Sequence, residues 1–291
     1  MKTALSYCLF DPIKLHPHRT WDDFTLDKTR YWFNIPALYI ANKVLYPDYE
    51  MKIFCNEELK RNKLFPLLKK LDITIETVTL DFTNTSEPMM WRLIPIWQNY
   101  DCVFLRDIDS LPNKEEYFCT TYFEKNEYAI QTMRSHENHY HEMGCDMLGG
   151  LCGFKPNMIN EKPNTFSDYY FSKMDLPWAQ DQFMITKTFI HDQSPMFLET
   201  NFLDCPINDQ SKKAPFPHTS IPPSVVKQEE KDLLKKTVLD IIHKHKIAKW
   251  AGQPCDARGE VLKDLISVDC DASQEVKKAL DDDMLKEFYG M

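Results

Sequence analysis

Glycine is scarce in this chain: seven residues in 291, about a third of the usual share. They are Gly144, Gly149, Gly150, Gly153, Gly252, Gly259 and Gly290. No three of them form G-x-G-x-x-G, and none precedes Lys-Ser or Lys-Thr. The dinucleotide fingerprint and the Walker phosphate loop are therefore excluded in their usual form. Any phosphate the protein holds must be held by other groups. Long apolar runs are lacking too: no stretch reaches 18 residues, so no membrane span is expected. The start, Met1 to Tyr7, has no long apolar segment ending in small residues, so no secretory leader is expected. Positive charge is in deficit, with 35 Lys and Arg against 44 Asp and Glu and a net charge of −9. Nucleic acid, which is gripped by a basic surplus, is a disfavoured partner. C-x-x-C is absent and the nine cysteines are odd in number, which argues against a zinc ribbon. Several cysteines lie in apolar runs, as in Met51–Cys55 and Asp101–Leu105, where a free thiol behaves as a small buried hydrophobe. A reducing, cytoplasmic setting is the expectation.

What is present is enough apolar residue, 43%, to build a sizeable core in a soluble α/β protein. The first half alternates strand and helix signals. Ala4–Phe10 reads as a short strand, Tyr31–Leu45 as a helix with Pro36 a local kink, and Met51–Cys55 as a strand. Glu57–Leu71 reads as a helix and Ile73–Leu80 as a strand by its alternation. Glu87-Pro88 opens a helix through Trp97, and Cys102–Leu105 is a continuous apolar strand, hence central. Strands separated by helices predict a mostly parallel sheet covered on both faces. In the second half, Glu115–Lys125 and Asp181–Ile190 read as helices and Tyr128–Met133 as a strand. Ser211–Pro223 reads as a loop or boundary, Glu229–Lys246 as an amphipathic helix and Ser273–Phe288 as a charged terminal helix.

In open α/β sheets ligands bind beyond the carboxyl ends of the strands. The strand Cys102–Leu105 runs straight into Arg106-Asp107-Ile108-Asp109-Ser110, so two carboxylates emerge where a ligand is expected. A D-x-D supplies hard oxygen ligands suited to Mg²⁺ or Mn²⁺, which can bridge the oxygens of a diphosphate. The bland alternative is a capped turn. Arg134-Ser135-His136-Glu137-Asn138-His139-Tyr140-His141 admits three readings: a substrate loop, a metal cluster or a solvated loop. Gly149 and Gly150 stand in Leu148–Gly153, either as a tight turn into a strand or as a place where backbone closely approaches a ligand. Asp181 fits a helix N-terminus, either as a cap or as a carboxylate that takes a proton from an attacking hydroxyl. Trp91, Trp97 and Tyr31 read as core, while Tyr7 and Phe10, at the end of the first strand, either pack there or border a nucleobase.

The ordered set Met90–Pro95, Arg106–Ser110, Met133–His136, Leu148–Phe154 and Asp181-Gln182 resembles a group of nucleotide-sugar glycosyltransferases of the GT-A fold, with relatives in bacteria and large DNA viruses. The resemblance spans roughly residues 30 to 205, and more loosely Trp250 to Ile266. It implies a Rossmann-type, GT-A-like α/β fold over 1–291 as one domain. Residues 1–110 would form the nucleotide-diphosphate half, 111–215 the sugar and acceptor half, and 216–291 a helical extension. It implies Asp109 as a direct Mn²⁺ or Mg²⁺ ligand, with Asp107 on the metal, its water, the ribose or the sugar. Arg92 and Arg106 would position the diphosphate or brace the D-x-D loop. Tyr7, Arg134, His136, Gly149 and Gly150 would meet the donor, Trp178 and Gln182 the acceptor, and Asp181 the reaction centre. A third metal ligand, often His in this fold, falls to His218, His243 or His245 without a recognisable context; Trp250–Pro254 lies where relatives place it. The implied activity is metal-dependent glycosyl transfer from a nucleotide diphosphate sugar, UDP being the commonest donor nucleotide, to a glycan or glycoconjugate hydroxyl. The implied location is the cytoplasm, that of the host if the source is viral. Two alternatives use the same carboxylates: a nucleotidyltransferase or phosphohydrolase, and a sugar-nucleotide-binding module without catalysis.

Overall fold

A computed structural model describes residues 1–11, 35–62, 65–69, 71, 73–84, 86–108, 112, 114–134, 147–160, 162–171, 180–189, 197–201 and 218–220. The helices expected at Glu229–Lys246 and Ser273–Phe288 lie outside these residues, as do Tyr31, Asp109, His136, Trp178, His243, His245 and Trp250–Pro254. Among the described residues no helix is long and apolar enough to cross a membrane.

The strands form a mostly parallel α/β sheet of Rossmann type. The chain divides into two compact units. The first takes its described residues from 1–6, 84–106 and 115–225. It holds β1 (Thr3–Cys8, by its first four residues), β4 (Cys102–Arg106), β5 (Ile130–Arg134), β6 (Leu151–Phe154), β7 (Phe197–Asn201) and β8 (His218–Ser220). Their order is β1-β4-β6-β5-β7-β8. β1 pairs with β4, β5 with β7 and β7 with β8 in parallel, while β6 runs antiparallel to both β4 and β5. Every residue of β1 and β4 is buried, as a strand covered on both faces requires. One face carries α3 (Lys114–Lys125), whose Phe123 meets Phe104 edge to face at 5.9 Å. The other face carries α4 (Phe166–Phe171) and α5 (Gln180–Phe189) in an aromatic layer. There Phe189 stands 5.2 Å from Phe154 and 5.9 Å from Tyr169, and Trp97 stands 5.6 Å from Phe166. The Trp97 indole N–H donates to the Pro163 carbonyl at 2.6 Å. Trp91 is fully buried, so both tryptophans are packing residues, as expected.

The second unit takes its described residues from 7–83 and 107–114. It contains α1 (Ile35–Leu45), β2 (Glu50–Cys55), a short α2 (Phe65–Leu68) and β3 (Thr74–Thr77), the last paired in parallel with β2. β3 is half-buried throughout, as an edge strand should be.

Three elements depart from expectation, the first two at a proline. Glu57–Leu71 is not one helix but a 3₁₀ turn, Glu57–Arg61, followed by α2. Pro66 lacks the N–H a helix interior needs and clashes with the turn before it, so it is confined to a fresh helix start. Pro88–Trp97 is wound as 3₁₀ rather than α, with Pro95 inside it. Pro95 has no N–H to complete an α-type bond, and its segment is buried nearly all round, from Pro88 to Ile96. Within Ser211–Pro223, read as a loop, lies β8.

Candidate functional site

The parallel strands of the first unit all end at one edge of the sheet, and β6 begins there. In register, Leu105 is level with Cys152, Arg106 with Leu151, and Thr132 with Cys152. Ser6 of β1, level with Leu105, and the ends of β4 and β5 (Arg106 and Arg134) thus gather with the Gly149-Gly150 turn that feeds β6. This is the ligand edge of an α/β sheet.

At that edge Arg92 and Asp181 form an ion pair, Nη2 to Oδ2, with side chains only 2% and 9% exposed. Arg92 comes from the 3₁₀ segment and Asp181 from the first turn of α5. The Ser6 hydroxyl donates to the Arg92 carbonyl at 2.6 Å, fixing that backbone to β1. Arg92 Nη1 reaches the carbonyl of Arg106, the last residue of β4, at 3.5 Å. Burial of such a pair is tolerable only when both charges are matched and held by further hydrogen bonds.

Gly149 backs the pair. A Cβ built there would collide with Arg92 Nη2 and Asp181 Oδ2 and lie 3.3 Å from Asp181 Cγ. Only glycine lets the turn approach this closely. The turn is pinned on both sides: the Met147 amide donates to Thr186 Oγ1 of α5 at 3.1 Å, and the Leu148 amide to Thr132 Oγ1 of β5 at 3.4 Å. Tyr169, fully buried in the same layer, has its hydroxyl pushed far above the usual phenol range. Burial is the main cause; a hydrogen bond with Thr188 opposes it and the Asp181 charge adds to it.

Arg106 turns to the other face. It pairs through Nε with Glu116 of α3 and donates from Nη2 to Thr120 Oγ1 at 2.9 Å. Its Nη1 donates to the carbonyls of Leu105, 2.8 Å, and Cys152, 3.3 Å. Its guanidinium also stacks 5.3 Å above the Phe104 ring.

Of the residues singled out in the sequence, the structure brings Arg92, Asp181 and Gly149 into contact, and Arg106 joins them through its carbonyl. Gly150 follows in the same turn, Gln182 is half-buried beside Asp181 on α5, and Arg134 ends β5. His218 opens β8. In the second unit, Tyr7 is buried and its hydroxyl accepts from Asn42 Nδ2 at 2.9 Å. The Asn56 side chain brackets the Asp11 backbone there, accepting from its N–H at 2.9 Å and donating to its carbonyl at 2.8 Å. Asp107 follows β4 directly and is half-buried, ahead of the buried Ile108. Among the described residues no three His, Cys, Asp or Glu side chains group to hold a metal.

Sequence reasoning missed Ser6, Glu116, Thr120, Thr132 and Thr186. Glu116 and Thr120 carried one usable signal: at i and i+4 they share a helix face.

No family model matches the chain, and no curated protein matches it. Among solved structures it is similar to 4-diphosphocytidyl-2C-methyl-D-erythritol synthase from Anaerococcus prevotii, at 9% identity and a TM-score of 0.42, over 69% of this chain and 86% of that one. It is similar to residues 1–349 of S. aureus TarS in complex with UDP, at 12% identity and a TM-score of 0.42, over 100% of this chain and 72% of that one. It is also similar to the glycosyltransferase GlyE of Streptococcus pneumoniae, at 12% identity and a TM-score of 0.41, over 99% of this chain and 63% of that one. Likeness of this degree assigns no activity to the chain.

Proposed function

We propose that this chain is a GT-A-like, metal-dependent glycosyltransferase that moves a sugar from a nucleotide diphosphate donor, UDP-linked in the first instance, to a hydroxyl of a glycan or glycoconjugate. The observation that carries this reading is the buried Arg92–Asp181 pair backed by Gly149 at the ligand edge of the sheet. A charged pair set against a glycine backbone is costly to build for packing alone, since apolar residues of similar volume commonly do as well.

In this reading Asp181 addresses the sugar. It takes the proton of the attacking hydroxyl if the reaction inverts, or orients sugar hydroxyls and steadies the oxocarbenium-like centre if it retains. Arg92 holds Asp181 in place and sets positive charge near the departing diphosphate. Gly149 and Gly150 offer backbone to the donor, and Arg134 and His136 contact its sugar or phosphate. Trp178 and Gln182 face the acceptor. Asp107 and Asp109 would hold Mn²⁺ or Mg²⁺: two hard carboxylates at a strand exit fit such a cation. When bound, that cation supplies charge to the leaving diphosphate.

The test is a nucleotide-sugar panel with Mn²⁺, read by thermal shift and then by transfer to glycan acceptors. A bound donor raises the melting temperature by mass action. The reading expects one donor to stabilise the wild type, Asp109→Ala to abolish that stabilisation, and nucleotide release to require acceptor. Phosphoester cleavage without sugar transfer, or donor binding with no turnover, would overturn it.

A further inference from the structure

We infer that Glu116 and Thr120 of α3, acting through Arg106, are positioning residues for the Arg92–Asp181 pair on the opposite face of the sheet. The inference rests on the proposed role of that pair, and its physical content lies wholly within the first unit.

The Arg106 guanidinium is one rigid plane that holds three elements at once. It grips its own strand at the Leu105 carbonyl, the neighbouring antiparallel strand at the Cys152 carbonyl, and α3 at Glu116 and Thr120. Side-chain exposure is 5% for Arg106 and 6% for Glu116, so these contacts are made in a dry setting where geometry is strongly enforced. A lysine could not reproduce them, because a single ammonium cannot span a fork of this kind.

The two strands so clamped are the two that border the ion pair. β4 ends in the Arg106 carbonyl that Arg92 reaches at 3.5 Å. β6 begins two residues after Gly149, the backbone against which the pair is set. Cys152, whose carbonyl Arg106 holds, points its thiol at the Gly149 carbonyl, 3.8 Å away. A shift of the clamp therefore moves the acceptor of Arg92 and the turn behind Asp181 together. Small displacements of a reacting constellation cost rate out of proportion to their size.

The variants are Thr120→Val, which removes one acceptor at constant shape, Thr120→Ser, which restores it, Glu116→Gln and Arg106→Lys. The first readout needs no activity: the guanidinium N–H resonances of Arg92 in ¹⁵N-labelled protein, assigned by Arg92→Lys. Glu116→Gln and Thr120→Val are expected to move the Arg92 signal and Thr120→Ser to return it. The second readout is a double-mutant cycle on urea midpoints, in which Glu116→Gln and Asp181→Asn are expected to be non-additive. With a donor in hand, kcat should fall roughly tenfold or more while KM for the donor changes less. An unmoved Arg92 signal together with additive midpoints would overturn the inference whether or not a donor is found. A moved signal with no donor bound by the wild type would instead sink the proposed function and leave the clamp standing.

Discussion

Arg92 and Asp181 meet across 89 residues of chain, and both are buried where they meet. The pair ties a 3₁₀ segment of the first half to the opening turn of α5. Removing one partner strands the other charge in a dry place, at about 3–5 kcal/mol, whereas replacing both with apolar groups costs far less than the sum. Urea denaturation of Arg92→Met, Asp181→Leu and the double variant checks this. Strictly additive losses would show that the two charges do not depend on each other.

The glycine contacts make a second prediction by steric argument alone. Gly149→Ala should destabilise the protein by about 1–3 kcal/mol and, on the proposed function, weaken donor binding, because the added methyl displaces the ion pair. Gly153→Ala should destabilise by a similar amount through a different neighbour, since its Cβ would lie 2.7 Å from Phe104 Cε1. Trimming that ring with Phe104→Leu should recover part of the loss in Gly153→Ala and none in Gly149→Ala. Thermal melts of the wild type, the three single variants and the two double variants decide it.

Burial pushes the Cys55 thiol from 9.0 up to about 11, with Glu57 adding slightly and Thr77 and Lys60 opposing. The folded state thus keeps its proton at a pH where the unfolded chain has lost it. The stability Cys55 contributes is complete below the unfolded value and declines as pH rises from there toward 11. Urea midpoints between pH 7 and 10.5 should fall less steeply in Cys55→Ala than in the wild type. Parallel slopes would refute this.

Asn56 uses both ends of its amide on the backbone of Asp11. Asn56→Asp keeps the acceptor for the Asp11 N–H but sets a carboxylate oxygen against the Asp11 carbonyl. It should cost more at pH 7 than Asn56→Ala, which itself loses about 1–3 kcal/mol by leaving buried polar groups unmatched. Chemical denaturation at pH 7 ranks the two.

The strands were legible because each is an apolar run closed by polar or turn residues. Cys102–Arg106 announced both its burial and its exit into Asp107. Asp181 was legible because an acidic residue belongs in the first turn of a helix. The direction of β6 was not legible: Leu-Cys-Gly-Phe is apolar throughout, and a fully buried strand reads the same forward and backward. The helix at Glu57–Leu71 failed because its apolar period continues through Pro66 while its hydrogen bonds cannot. The clamp on Arg106 was hidden for another reason. Glu116 and Thr120 lie ten or more residues beyond the arginine, and only the sheet brings α3 back over the end of β4.

The reversed strand β6 has one more consequence. A parallel neighbour would force the chain after β5 to travel the full height of the sheet before pairing again. Because β6 runs the other way, β5 ends and β6 begins at the same edge of the sheet. The scaffold therefore sets the start of one strand, with the Gly149-Gly150 turn that feeds it, among the ends of its neighbours, so that one rim of the sheet carries chain of both senses.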